Sequence, residues 1–413
     1  GLPMRGRRDT IQESIHSHPV NVLVVAPTPF FSDRGTHIRI LEEALALEKR
    51  GHTVTIATYH IGQDLPERLG SRIDVRRIRR LLFWYKKLEA GPDWQKIILD
   101  LLLIKKVFFL ARTKRPEIIH AHLHEGVLIA WIVQKMLFWR GIKVVADFHG
   151  SLTKEMVSHS YLRASGLERL FRFVEEQIDR MGDAAVTSSW NNAREIGAIR
   201  GTEVPVLLDG TRLSMFDGLP DRAMIRRKYG IPADAVVITY TGAFIRNKGI
   251  NYFLEAMPMI AKESAQAHFV LAGFPLDLIA QDIPAHLTSR VTIVSPSPYF
   301  DLPQILRMSD IGVDPKDEAT REASGKTLQY MGASLPVACF GTENNRAYLG
   351  EGGSYADQMS SESLALSILG LVADATLREH KGAINRARAE DYSWEKSAEK
   401  VEGIYRQLLS PVL

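Results

Sequence analysis

Short, uninterrupted apolar runs recur along the first half of the chain, at 21–26, 53–58, 117–121, 143–147, 184–187 and 204–208. Between them lie longer stretches whose apolar residues fall three and four apart, such as 38–50, which Gly51 closes. Continuous apolar runs, unlike alternating ones, predict strands buried on both faces. Strands alternating with helices predict a parallel sheet covered on both sides, an α/β class fold. A turn-rich junction is read at Asp209-Gly210 and 218–221. The pattern then restarts, with strands expected at 236–241, 268–272, 291–294, 311–313 and 336–340. Two doubly wound, Rossmann-like domains are therefore expected, 1–205 and 206–392, facing a central cleft. The closing segment, 393–413, reads as a helix with Ser393 as N-cap and an apolar stripe of Trp394, Val401 and Tyr405. It is expected to pack back on the first domain. Lys396 stands where a complete capping box would have an acid or amide. Sheets of this kind bind ligands beyond the carboxyl ends of their strands, where the strand order reverses.

A chain of 413 residues is too long for one ordinary core, which agrees with two domains. Apolar content of 45% and charged content of 24% fit a soluble globular protein. The single cysteine, Cys339, lies in a strand pattern, which excludes a disulfide framework and a cysteine zinc site and fits a reducing compartment. The polar N-terminal stretch lacks the apolar segment of a signal peptide. The apolar stretches 97–111 and 127–139 are interrupted by Asp100, Lys105, Lys106, Gln134 and Lys135. Both fall short of the roughly 20 residues a spanning helix needs. A cytoplasmic location is expected.

The charge is unevenly spread. Residues 72–115 hold thirteen Lys and Arg against four Asp and Glu, while the whole chain carries only +4. Within 76–87 the basic residues alternate with Leu81, Leu82, Phe83, Trp84 and Tyr85. Such a stretch suits an anionic membrane surface, with the protein peripheral at its inner face. A solvated helix face is the plainer alternative. No nucleic-acid motif accompanies the charge.

Two loops have phosphate-binding character. One is the turn Gly242-Ala243-Phe244-Ile245-Arg246-Asn247-Lys248-Gly249. The other runs from Glu322 through Ser324-Gly325-Lys326 into a helical pattern and then a buried strand near 336–340. Small residues at a helix start expose unpaired N–H groups and a positive dipole end. Two such loops in one half of the chain suggest a nucleotide-sugar site. His120, His122 and His124 would share one strand face if the strand extends that far. They could form a zinc site, a set of structural histidines or an acceptor-binding edge; the last is preferred, and no metal is expected.

These blocks, in this order, resemble a GT-B glycosyltransferase of family 4, the retaining nucleotide-sugar enzymes, over most of the chain from Val22 to Leu408. The resemblance implies that the loop 27–37 approaches donor and acceptor, with Gly35 retained from the usual glycine pair and Thr36 on the acceptor side. It implies that His149, in Asp147-Phe148-His149-Gly150, contacts the donor sugar. It gives Lys248 the donor diphosphate, with Gly242 and Arg246 in the same turn. Ala243 stands where the family has an arginine. In the family's paired-glutamate region Arg321 and Gln329 occupy the acidic positions. Glu322, one residue late, would take the first glutamate's role. Ser324, Gly325 and Lys326 would surround the phosphates, and Gln329 would bond the ribose. His122 and His124 would serve the acceptor. The implied reaction moves a hexose from a nucleoside diphosphate sugar to a hydroxyl of a lipid-linked glycan, polysaccharide or small molecule, without a cofactor. Alternative readings are a nucleotide-sugar epimerase on the same fold and a nucleotide- or glycan-binding pseudoenzyme, the latter prompted by Ala243, Arg321 and Gln329.

Overall fold

A computed structural model describes residues 18–86, 94–150, 165–317 and 325–410. It contains two six-stranded parallel sheets. In the first, β1 (Asn21–Ala26), β2 (Thr53–Thr58), β3 (Asp74–Arg77), β4 (Ile118–His122), β5 (Lys143–Phe148) and β6 (Ala184–Thr187) take the order β3-β2-β1-β4-β5-β6. In the second, β7 (Val236–Ala243), β8 (Ala267–Phe274), β9 (Val291–Val294), β10 (Ile311–Asp314), β11 (Val337–Phe340) and β12 (Gly353–Ala356) take the order β12-β11-β10-β7-β8-β9. Each sheet reverses its strand order once, between β1 and β4 and between β7 and β10. The crevice beyond those strand ends is where such a sheet receives a ligand.

The central strands are largely apolar because helices cover both of their faces. Leu23 and Val25 of β1 point into one core with Leu103, Val107 and Val133. Val22 and Val24 point into another with Ile40, Leu41 and Leu47 of the first helix, Gly35–Lys49. The closing helix, Trp394–Leu409, lies in that second core through Trp394, Val401 and Tyr405. Its N-cap is Ser393, whose hydroxyl accepts from the Lys396 backbone N–H, so the cap needs no acid at 396.

The loops leaving the carboxyl ends of the two sheets meet. Asp33, after β1, accepts from the Tyr299 N–H at 2.7 Å, and Phe31 packs on Phe300. Tyr299 donates its hydroxyl to Glu42 at 3.0 Å, and Arg212 pairs with the same buried carboxylate at 2.9 Å.

Three strands differ from the sequence pattern. The stretch 204–208 makes only an isolated bridge, Thr187 to Val206, while β3 and β12 complete the sheet edges. β3 is half-buried and charged, and β12 contains glycine and serine, so neither has the apolar run of a central strand.

The chain crosses between the halves twice, and the crossings lie side by side. Thr211 donates its N–H to Tyr392 and accepts from Trp394. A Cβ at Gly210 would lie 2.9 Å from both Trp394 N and Tyr392 O. Gly210→Ala should therefore cost about 1–3 kcal/mol, the usual cost of overpacking. Chemical denaturation checks this, and an unchanged midpoint would show that the crossing yields freely.

Candidate functional site

Beyond the carboxyl ends of β4 and β5, charged and imidazole side chains gather around one carboxylate. Asp147 is fully buried; its Oδ2 lies 3.2 Å from His122 Nδ1, 3.7 Å from His149 Nε2 and 3.8 Å from His120 Nε2. Arg39 reaches both Asp147 oxygens from the first helix, at 3.3 and 3.2 Å. His122 and His149 face each other at 3.0 Å between Nδ1 and Nε2, so one ring donates to the other. Behind them His120 meets Glu43 at 3.3 Å and the Tyr405 hydroxyl, from the closing helix, at 2.6 Å.

The electrostatics follow from this arrangement. Burial works against ionisation of Asp147, but Arg39 and the three imidazoles outweigh it and hold the carboxyl well below its usual range. Burial, reinforced by Arg39, His122 and His120 against the pull of Asp147, holds His149 uncharged. Burial also opposes charge on His120, yet Glu43 and Asp147 prevail and raise its pKa. The ligand atoms of Glu43, His120, His122 and Asp147 lie within 4.8 Å of one another and could also enclose a metal ion. Arg39 already supplies positive charge to that space.

His124 is placed differently from its expected acceptor-side role. β4 ends at His122, and Leu123 begins a helix, Leu123–Met136, so the three histidines do not share a strand face. His124 is buried against Phe148 and pairs with Asp179 at 3.2 Å and Glu175 at 3.6 Å. Thr36 and Gly35 open the first helix, Gly35 exposed with open space around its α-carbon.

In the second half, the turn after β7 carries Arg246 and Lys248 in a single 3-10 turn closed by Gly249. Gly249 has φ +78, and a Cβ there would lie 1.9 Å from the Pro315 carbonyl oxygen. Only glycine lets the turn press on the segment after β10. Arg246 is exposed. Gly242, φ +117, ends β7 beside Lys326, which rises from the short helix Gly325–Gly332. Lys248, Lys316 and Lys326 converge there: burial lowers the Lys326 pKa, Asp314 opposes this, and Lys316 and Lys248 add to it. Gln329 is buried and accepts from the Thr211 hydroxyl at 3.1 Å, so its oxygen ties the short helix to the crossing. Glu322 and Ser324, with Arg321, lie outside the described residues.

The basic-aromatic stretch is divided by the fold. Arg77 donates to the carbonyls of Phe30, Ile61 and Gln63 and so pins the loop after β1. Leu82 and Tyr85 are core residues. Phe83 and Trp84 remain exposed, and Trp84 is tied to Gln95 at 3.0 Å. On the helix Trp94–Lys114, Trp94, Ile97, Leu101 and Phe109 are all more than half exposed, in line with Lys105 and Arg112. No helix among the described residues is long and apolar enough to cross a membrane.

Sequence reasoning had no role for Arg39, Glu43 or Asp314, saw Asp147 only as a neighbour of His149, and read Tyr405 only as part of an apolar stripe. The signal for the first two was present: charged residues one helical turn apart in a helix otherwise patterned for burial.

Residues 34–206 match the model of Glycosyltransferase Family 4, and residues 235–374 that of Glycosyl transferases group 1. The D-inositol 3-phosphate glycosyltransferase of Acidothermus cellulolyticus is 24% identical over 447 positions, covering 99% of this chain and 92% of the relative. The alpha-D-kanosaminyltransferase of Streptomyces kanamyceticus is 25% identical over 202 positions, 45% of this chain and 49% of the relative. Among solved structures, sucrose-phosphate synthase from Thermosynechococcus elongatus superposes with a TM-score of 0.68 at 18% identity, covering 94% of this chain and 99% of that one. Anabaena HepE in complex with UDP-glucose gives 0.68 at 16% identity, covering 94% and 100%.

The pH dependence of the His124 pair can be signed. Burial opposes its charge, but Asp179 and Glu175 raise its pKa in the folded protein. The stabilisation is therefore complete below the unfolded value of about 6.5 and fades as pH rises through the folded value. Asp179→Asn should cost more stability at about pH 5.5 than at about pH 9. Equal losses in denaturation at both would detach the effect from His124.

Proposed function

The chain belongs to the GT-B glycosyltransferases of the family 4 type, and from that we propose a retaining transfer of a hexose from a nucleoside diphosphate sugar to an acceptor hydroxyl. The convergence of Lys248, Lys316 and Lys326 beside the Gly242 turn, at the switch point of the second sheet, carries this reading. A diphosphate is the ligand that such clustered cations and open backbone suit. Lys248 stabilises the leaving diphosphate. Gln329 bonds the ribose through its amide nitrogen; the roles expected of Ser324 toward the phosphates and of Glu322 toward the sugar hydroxyls fall on residues outside the described ones.

His149 is the sugar-facing group of the first half. Held uncharged and turned by His122 and Asp147, it orients the donor sugar by hydrogen bonding. The leaving diphosphate takes the acceptor proton on the face from which it departs, which preserves the anomeric configuration. The acceptor enters along Gly35, Thr36 and His122. Relatives named for D-inositol 3-phosphate make a phosphorylated polyol the first acceptor to test, alongside lipid-linked and polysaccharide acceptors of glycoconjugate synthesis. The reaction uses no cofactor or metal.

The protein works in the cytoplasm, peripheral to an anionic membrane. Its contact is the exposed apolar line of Trp94, Ile97 and Leu101 with Phe83 and Trp84, flanked by Arg79, Arg80 and Lys105. Apolar side chains enter the interface while basic ones meet anionic headgroups.

Lys248→Ala should lower transfer about a hundredfold or more, as loss of one charge-stabilising donor does. The parent's product should keep the donor's anomeric configuration by proton NMR. Unchanged catalytic efficiency in the variant, or an inverted product, would overturn the assignment; turnover of the donor without any acceptor would favour an epimerase. For the membrane surface, Arg79→Ser with Arg80→Ser should weaken partition onto anionic vesicles about thirtyfold, from roughly 1 kcal/mol per residue. Unchanged co-sedimentation, or none in the parent, would remove the surface role.

A further inference from the structure

Ala243 leaves the turn after β7 one cation short of the family pattern, and exposed Arg246 occupies a different place in that turn. A second cation nevertheless stands beside the turn. Lys326 Nζ lies 3.8 Å from the centre of the Tyr240 ring and 4.0 Å from Asp314 Oδ1. The second distance is beyond hydrogen-bond reach. Among the described residues neither Lys326 Nζ nor Asp314 Oδ1 has a hydrogen-bond partner, although both atoms are buried. A buried ammonium with three unused donors is costly unless a ligand completes it. Asp314 cannot be that partner without moving, because its other oxygen is held by the Thr327 hydroxyl at 2.8 Å. Gly242 leaves the approach open: even a Cβ there would sit 3.7 Å from Lys326 Nζ.

We propose that Lys326 takes the place of the missing arginine and presents its ammonium, past Gly242, to the diphosphate of the nucleotide-sugar donor. The assignment rests on the donor-site reading above and adds to it a specific source for the second positive charge. An anion seated between Gly242 and Lys326 would accept from Nζ and replace the absent protein partner. The Tyr240 face beneath stabilises the cation without consuming a donor.

The surroundings give the site a pH signature. Facing Nζ are Asp314 at the end of β10, Lys316 just beyond it, Lys248 in the turn and Tyr240 on β7. Burial lowers the Lys326 pKa to about 8; Asp314 opposes this, and Lys316 and Lys248 add to it. A diphosphate binds the charged form, so affinity should fall as pH rises through about 8, by up to tenfold per unit.

The test is calorimetric binding of UDP, GDP and ADP, carrying the tightest forward from about pH 7 to about pH 9.5, in the parent, Lys326→Met, Ala243→Arg and the double variant. The parent should lose affinity above about pH 8. Lys326→Met should bind about tenfold or more weakly at neutral pH and show no such fall. Adding Ala243→Arg to it should restore affinity without restoring the fall. Binding by the parent with a flat pH curve, or equal affinity in Lys326→Met, would overturn the Lys326 assignment and leave the donor site standing. Failure of all three nucleotides with the parent would overturn both. If Lys326→Met does not fold by circular dichroism, the parent's pH curve decides alone.

Discussion

The first half of the molecule depends on a buried ion pair between Arg39 and Asp147. The guanidinium is fixed to Asp147 by two bonds and also donates to the Leu207 carbonyl and Asp209 Oδ1, each at 2.9 Å. One side chain thus joins the first helix, β5 and the start of the link to the second half. Truncating either partner of such a pair commonly costs about 3–5 kcal/mol, because the survivor stays buried and uncompensated. The same pair keeps Asp147 ionised. An ionised Asp147 is what orders the imidazoles of His120, His122 and His149 around one oxygen. A neutral residue of the same shape would keep the packing and lose the common acceptor.

The second half solves a different problem with backbone shape. Here the cations come from three separate segments, and they repel one another. What brings them together is the close approach of the turn to the strand-β10 segment at Gly249, fixed by a φ that side chains rarely adopt. Mutual repulsion is tolerable because Asp314 and the Tyr240 ring lie beneath Lys326. The result is a site where the buried Lys326 Nζ has no hydrogen-bond partner among the described residues, whereas around Asp147 a carboxylate meets a guanidinium and three imidazoles.

Much of this fold can be read from the chain because parallel strands buried on both faces leave continuous apolar runs. The central strands β1, β4, β5, β7, β8 and β10 all carry that mark. The edge strands β3 and β12 do not: β3 reads Asp-Val-Arg-Arg and is held by its place beside β2, not by its own hydrophobicity. At the sites, glycines and lysines in turns were legible because spacing alone marks them. Burial and partnership were not. His124 shares its spacing with His120 and His122, yet a helix starting at Leu123 turns it toward Asp179. Arg77 looks like one more basic surface residue until its three carbonyl partners are seen. Asp147 sits inside a recognised motif, but only tertiary structure shows that four side chains converge on it.

The two sites are not independent, because both grip the same short crossing. Arg39 holds Asp209, two residues before Thr211, and Gln329 holds the Thr211 hydroxyl. Thr211 in turn pairs with the return crossing at Tyr392 and Trp394. Tyr405, on the helix that follows, reaches back to His120. A displacement of either crossing therefore acts on residues of both sites through hydrogen bonds that are buried and directional. Glu42 adds a second tie, shared between Arg212 and Tyr299, between the first helix and the other half. Buried polar contacts of this kind contribute little net stability compared with apolar packing, but they penalise misplacement heavily. Their role here is to fix where His149 stands relative to Lys248 and Lys326, which hydrophobic cores confined to each sheet could not do.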